Sequence, residues 1–208
     1  MLKLQIGAGL DGPAGWMNVD ASPVLRLQRL PVVGSLFRRM VKPEFSPRVS
    51  HGNVVRGLAL PSGIAALVYS SHMLEHLALR DLELALAEIY RVLLPGGTFR
   101  SVLPDLEYEA TRYLQSQSPD RASEFMQATL LGVESREVGV MSTLRGWFGN
   151  SAHKWMWDYP SIAARLGAAG FVDIRRAVLG DSSHAEFDAV ENPERWHNCL
   201  GFECRKSG

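Results

Sequence analysis

The chain has 208 residues, enough for one domain with a full hydrophobic core. Its 46% hydrophobic and 21% charged content is that of a soluble globular protein, and a formal net charge of +0 gives no argument for nucleic acid or an anionic membrane as partner. No apolar run approaches the ~18 residues of a membrane span, and the chain enters its first strand without a basic and apolar leader, so a cytoplasmic protein is expected.

In chain order, residues 2–6 read as a short apolar strand closed by Gly7-Ala8-Gly9, and residues 16–20 as a second strand ending in Asp20. Residues 21–52 are basic and apolar, broken by Pro23, Pro31, Pro43 and Pro47. Arg26, Arg29, Arg38, Arg39, Lys42 and Arg48 face Glu44 alone there. With Leu25, Leu27, Leu30 and Phe37 among the arginines, the stretch is compatible with a lid over a substrate, with membrane-surface contact, or with a solvated excursion packed on its own domain. Val54-Val55 reads as a third strand and residues 65–69 as a fourth.

After a polar turn, Leu79, Leu82, Leu86, Ile89, Tyr90 and Leu93 recur at three- and four-residue spacing, which predicts a helix ended by Pro95-Gly96-Gly97. A fifth strand at 98–103 leads to Pro104-Asp105, followed by helices at 107–117, 120–131 and 161–169 and strands at 171–174 and 198–204. Cys199 and Cys204 lie five apart on the last strand and so face opposite sides, which predicts two free thiols. Asp181, Glu186, Asp188, Glu191 and Glu194 form an acidic counterpart to the basic region. No repeat or linker divides the chain, so a single domain over 1–208 is expected.

Strand, polar turn, helix and strand form the βαβ unit of a parallel sheet, and ligands bind at the carboxyl ends of such strands. That makes Ser71-His72-Met73-Leu74-Glu75-His76-Leu77 the foremost site candidate. Gly7, Gly9 and Gly12 spell a dinucleotide fingerprint, but Leu10-Asp11-Gly12-Pro13-Ala14-Gly15 is a poor helix start. Asp20 follows Gly9 by eleven residues, well short of the ~20 that a dinucleotide site uses. S-adenosylmethionine carries no phosphate. It asks for a glycine turn and an acid that accepts from both ribose hydroxyls. In the competing reading, Gly7 and Gly9 only turn the chain and Asp20 caps the Ser22-Pro23 turn. His72-Met73-Leu74-Glu75-His76 also matches H-x-x-E-H, in which two histidines on one helical face bind zinc with Glu75 as base, a zinc hydrolase.

Leu4-Gln5-Ile6-Gly7-Ala8-Gly9, Gly15-Trp16-Met17-Asn18-Val19-Asp20 and Tyr69-Ser70-Ser71-His72-Met73-Leu74-Glu75-His76-Leu77 together resemble the class I S-adenosylmethionine-dependent methyltransferases. The nearer likeness is to the small bacterial "type 11" branch with a shortened first helix. Residues 88–97, Val102-Leu103-Pro104-Asp105 and Ala168-Ala169-Gly170-Phe171 fit the same pattern. The resemblance implies an α/β, Rossmann-like, mostly parallel seven-stranded sheet with helices on both faces and a C-terminal antiparallel hairpin. It implies S-adenosyl-L-methionine as cofactor, held by Gly7, Ala8, Gly9, Asp20, Leu58, Ser71 and His72, and a small-molecule, carbohydrate-linked or hydroxylated acceptor. Where family members carry an acid near the end of strand three, this chain has Val54-Val55-Arg56-Gly57-Leu58, which leaves adenine to apolar contact with Leu58 and Leu60. A non-catalytic, methyltransferase-like binding protein is the alternative reading.

Methyl transfer is an in-line displacement in which the protein mainly positions the acceptor and sometimes removes a proton. His72 is the first candidate base and His153 the second; either also reads as a structural histidine. Trp155 and Trp157 beside His153 and Asp158 read as an acceptor wall or as core packing. Asp105 reads as a site residue or as a helix cap. The cations are confined to one apolar region, which argues against nucleic acid.

Overall fold

The structure, a computed structural model, describes residues 1–31, 34, 44–132 and 152–208. A seven-stranded sheet runs in the order β3-β2-β1-β4-β5-β7-β6, built from β1 (Leu2–Ile6), β2 (Met17–Asp20), β3 (Val49–His51), β4 (Ala65–Ser71), β5 (Leu93–Pro104), β6 (Phe171–Ala177) and β7 (Cys199–Lys206). β1 to β5 pair in parallel, while β7 lies antiparallel to both β5 and β6. This is the Rossmann-like sheet with a C-terminal hairpin that the sequence leads one to expect.

One face is covered by helices. α2 (Leu79–Val92) buries Leu82, Ala85, Leu86, Ile89 and Val92, the three- and four-residue stripe legible in the sequence. α5 (Tyr159–Ala168) adds Ile162 and Leu166 to the same core. The opposite face has no helix between β1 and β2, because residues 7–16 form only a loop. Trp16, Phe187 and Trp196 cover Leu67, Tyr69 and Val102 instead. Phe187 and Trp196 come from the irregular connection between β6 and β7, which holds a 3-10 turn (Ala185–Ala189) and a single turn of helix, α6 (Pro193–Trp196). Beneath them lies Arg100, on central strand β5 and fully buried. It donates to Glu191 at 2.5 Å, Asp181 at 2.8 Å, Glu203 at 3.2 Å and the Val178 carbonyl at 2.6 Å.

Two expectations need correction. The third strand is Val49–His51, not Val54-Val55: Val49 is buried and pairs with Asn18, whereas Asn53 accepts from the N–H groups of Val55 and Arg56 and turns the chain there. α2 ends at Val92, before the glycines, and Pro95-Gly96-Gly97 lie inside β5. Ala65 pairs with Leu93 but Leu67 with Thr98, so the extra residues bulge out; Gly96 takes the left-handed φ of 74° that a bulge asks of glycine. In the 21–52 region the described residues pack on the domain. α1 (Pro23–Gln28) buries Val24 and Leu25 against Phe45 and Val49, and Arg29 donates to the carbonyls of Ser46 and Val49. Arg38, Arg39 and Lys42, which motivated the lid and membrane readings, lie outside the described residues. Among the described residues no helix is long and apolar enough to cross a membrane. Cys199 and Cys204 are free thiols, as their spacing predicts.

Candidate functional site

The carboxyl ends of β1, β2 and β4 meet at one edge. β1 exits into Gly7-Ala8-Gly9, where both glycines are left-handed, with φ of 69° and 66°. A Cβ on Gly7 would sit 2.7 Å from Met73 Cγ, so the turn packs against the β4 loop only because that side chain is absent. A Cβ on Gly9 would meet nothing within 4 Å, and the space beside it is open. Asp20 closes the turn from β2: Oδ2 accepts the Gly9 N–H at 3.0 Å and Oδ1 the Ser22 N–H at 2.8 Å. The turn-capping reading of Asp20 is therefore realised, yet each oxygen keeps a further acceptor site.

A cleft of about 450 Å³ opens at this turn, lined by Gly7, Ala8, Gly9, Ser71, Asn192 and Arg195. Leu58 lies to the other side of β2, where it and Val19 flank Gly52. Its N–H donates to Glu88 at 2.6 Å, and Arg91 bonds Glu88 and the carbonyls of Leu58 and Leu60. This pair on α2 staples the loop at 58–60. Sequence reasoning missed His51 and Asn53. With β3 placed at 49–51, His51 pairs with Asp20 across the ladder and Asn53 follows at the strand's end. The signal was the three-residue run Val49-Ser50-His51 ahead of Gly52, too short to stand out. Burial, reinforced by the charge of Arg26, lowers the His51 pKa against the pull of Asp20.

Ser71 and His72 diverge. Ser71 lines the first cleft, whereas His72 turns into the left-handed region (φ 48°) and lines a second, of about 330 Å³, with Asp105, Glu109, His153, His197 and Cys199. His72 Nε2 lies 2.9 Å from the Arg195 carbonyl and Nδ1 lies 3.4 Å from Glu75 Oε1. Burial opposes its charge, but Cys199, Glu75 and the Arg195 carbonyl outweigh that and push its pKa up to about 10. Nε2 is thus hydrogen-bonded and Nδ1 faces the Glu75 carboxylate, an arrangement unlike that of a free general base. The H-x-x-E-H reading fails on the same geometry. Leu74–His76 is a single 3-10 turn preceded by the left-handed His72, so His72 and His76 do not stand one helical turn apart on a common face.

Glu75 is fully buried, and among the described residues neither of its carboxylate oxygens has a hydrogen-bond partner. Its carbonyl accepts from the N–H groups of Lys154 and Trp155, which brings His153 alongside; His153 Nε2 lies 3.9 Å from Glu75 Oε1. Burial lowers the His153 pKa despite Glu75. The His76 ring packs edge-on to His153 at 5.0 Å. Trp157 is core and Trp155 is exposed, and neither lines the second cleft. Asp105 caps α3 (Leu106–Gln115) by accepting from Glu107 and Tyr108, the plain reading of that residue, while also lining the cleft. Asp158 caps α5 in the same way, through Ser161. A further cavity of about 550 Å³, between α3 and α4 (Arg121–Ala128), is lined by Tyr113 and Phe125 and lies away from the glycine turn.

Residues 4–101 match the family described as a methyltransferase domain. No curated protein sequence matches the chain. Among solved structures it is similar to a chain of the Haloferax volcanii complex that contains the Trm112 methyltransferase activator, with TM-score 0.51 and 17% identity over 100% of this chain and 83% of that one. It is similar to Haemonchus contortus phosphoethanolamine N-methyltransferase 2, solved with phosphomonomethylethanolamine and S-adenosylhomocysteine, with TM-score 0.52 and 14% identity over 100% of this chain and 50% of that one. A Thermotoga maritima S-adenosylmethionine-dependent methyltransferase gives TM-score 0.51 and 15% identity over 99% of this chain and 82% of that one. At such identities the likeness is one of fold, and this chain spans half the length of the Haemonchus enzyme.

Proposed function

We propose that this chain, whose residues 4–101 match the family described as a methyltransferase domain, transfers a methyl group from S-adenosyl-L-methionine to a small acceptor. The observation that carries the proposal is the Gly7-Ala8-Gly9 turn held by Asp20 beside the first cleft. The cofactor supplies an already activated methyl group, so the protein's task is placement. Backbone at the glycine turn and Ser71 would receive the amino-acid end, Asp20 the ribose hydroxyls, and Leu58 the adenine. Asn53 at the end of β3 stands where a polar contact to the base would come from. The neighbouring structures with S-adenosylhomocysteine or S-adenosyl-L-methionine bound support this choice of ligand for the fold.

The second cleft is the acceptor side. His72 forms the partition between the clefts, tied to Arg195, which lines the first. With Nε2 on the Arg195 carbonyl and Nδ1 turned to the Glu75 carboxylate, His72 positions the acceptor and does not deprotonate it. The polar lining of His72, Asp105, Glu109, Arg112 and His197 suits a hydroxylated or carbohydrate-linked molecule. A binding protein without catalysis is the second reading, favoured by the amide of Asn53 where an acid would grip adenine.

The test is binding of S-adenosylhomocysteine by calorimetry and by a rise in melting temperature, set against NAD. A ligand at about a hundredfold excess over its Kd adds about 2.7 kcal/mol of stability. Asp20→Ala should weaken binding by about 1.5–3 kcal/mol, the scale of a charged hydrogen bond. Asp20→Asn, which can keep only one of the two turn hydrogen bonds, serves as the milder variant, with far-UV circular dichroism to verify that both are folded. No binding to the wild type would overturn the proposal. Binding without label transfer from S-adenosylmethionine to any component of a cell extract would select the second reading.

A further inference from the structure

We propose that Glu75, His76 and His153 form a binding site for one divalent first-row transition-metal ion, separate from the glycine-turn cleft. Each offers one ligand atom, and these atoms lie within 4.8 Å of one another. Two imidazole nitrogens and one carboxylate oxygen are a set that binds zinc, manganese, iron or cobalt ions, with bonds of ~2.0–2.2 Å and further positions left for water or substrate oxygen.

A carboxylate shut away from water with neither oxygen hydrogen-bonded is costly unless something compensates it. His72 Nδ1 faces Glu75 Oε1 at 3.4 Å as an ion-pair partner without a hydrogen bond, and among the described residues Oε2 has no hydrogen-bond partner either. His153 presents Nε2 at 3.9 Å, close to the spacing of two atoms that share one metal ion. The third ligand is pre-oriented: His76 Nδ1 lies 3.2 Å from the Ala152 carbonyl. A proton on Nδ1 donated to that carbonyl leaves the Nε2 lone pair free for a metal, as outer-shell bonds commonly arrange for ligating histidines. The backbone locks the two halves together, since Lys154 and Trp155 both donate to the Glu75 carbonyl. The widest spacing, 4.8 Å, asks the rings to close on the ion by a fraction of an ångström each.

His72 is outside this set. The sequence motif pairs His72 with His76, but the left-handed turn sends His72 to Arg195, and a histidine from 77 residues downstream of His76 takes its place. His153 also lines the second cleft, so the ion would stand at its wall. The inference does not depend on methyl transfer, and its readouts are metal stoichiometry and spectrum.

Metal-free full-length protein is titrated with Co²⁺, followed by visible ligand-field absorption, and with Zn²⁺, followed by calorimetry. One equivalent should bind, with an intense Co²⁺ band of low coordination number. Glu75→Gln, His76→Gln and His153→Gln should each weaken binding by more than about 100-fold, beyond the usual loss from an outer-shell change. Far-UV circular dichroism verifies that each variant is folded, and His76→Gln, at a partly exposed position, is the least disruptive of the three. His72→Gln should leave binding little changed. Absence of stoichiometric binding, or binding undiminished in the three variants, overturns the proposal. Loss of binding in His72→Gln with retention in His153→Gln overturns it in favour of the His72–His76 pairing.

Discussion

The two faces of the sheet are covered by different means. On the α2 and α5 face, Leu82, Leu86, Ile89, Ile162 and Leu166 are buried from regular helices, and helical backbone satisfies its own polar groups. On the other face, residues 178–198 cross the sheet with only short turns of helix, so their backbone needs partners from outside. Arg100 supplies them: it donates to the Val178 carbonyl and holds Asp181 and Glu191, while Glu191 in turn accepts the Gly180 N–H at 3.1 Å. Its guanidinium also lies 4.7 Å from the centre of the Trp196 ring. A regular helix can be seated by apolar area alone. An irregular cover is seated by a buried charge network, which specifies one placement and fails when one member is lost.

That contrast can be broken by substitution. Arg100→Leu should be the most damaging, because it leaves buried Glu191 without its cation and leaves Asp181 and Glu203 to Arg175 alone. We expect a loss of about 3–5 kcal/mol, read as a fall in urea midpoint, together with increased tryptophan exposure as Trp196 lifts. Leu86→Ala on the opposite face should cost about 3 kcal/mol through transfer and cavity terms, measured in the same way but without a change in tryptophan emission.

Gly201→Ala tests how tightly the irregular cover is seated. An added Cβ would meet the Trp196 ring at 2.2 Å and the Ala177 carbonyl at 2.4 Å. Overpacking should cost about 1–3 kcal/mol in thermal unfolding, and retention of wild-type stability would show that the cover moves freely.

The smallest effect is the acid sensitivity of the cover. Burial raises the Asp181 pKa, but Arg175, the backbone at Val178 and Arg100 outweigh it and hold the carboxyl below its ordinary value of 3.8. A depressed folded-state pKa contributes stability that is fully present above the unfolded value and is lost as pH falls through the folded one. Stability should therefore decline below about pH 4, with a shallower decline in Asp181→Asn. Equal slopes in urea titrations of the two proteins would exclude this group as a source.

The helical face was legible because its signal is local: the stripe from Leu79 to Leu93 needs only neighbours three and four residues away. The glycine turn and Asp20 were legible for a related reason, since only a few residues separate the strands they close. β3 was not, because three residues carry no periodicity, and only pairing with Asn18 and Asp20 reveals them. Pro95-Gly96-Gly97 misled for a different reason. Proline and glycine end a helix, but they also fit a bulge, and the neighbouring strand decided between the two. For His72 the sequence offered two partners and the fold chose a third, the Arg195 carbonyl, 123 residues away.

By itself, the sequence determined the class of sheet, the helix that covers one face, the free state of both cysteines and the glycine turn at the sheet edge. Each of these follows from spacing within a short window, which is where side-chain periodicity and turn chemistry act. Tertiary structure alone decided that Arg100 would gather three distant acids, that Glu75 would be buried beside His153, and that Ser71 and His72 would face different clefts. Those outcomes depend on chain segments far apart in sequence meeting in a low-dielectric interior, where an unpaired charge is costly and the partner is set by packing.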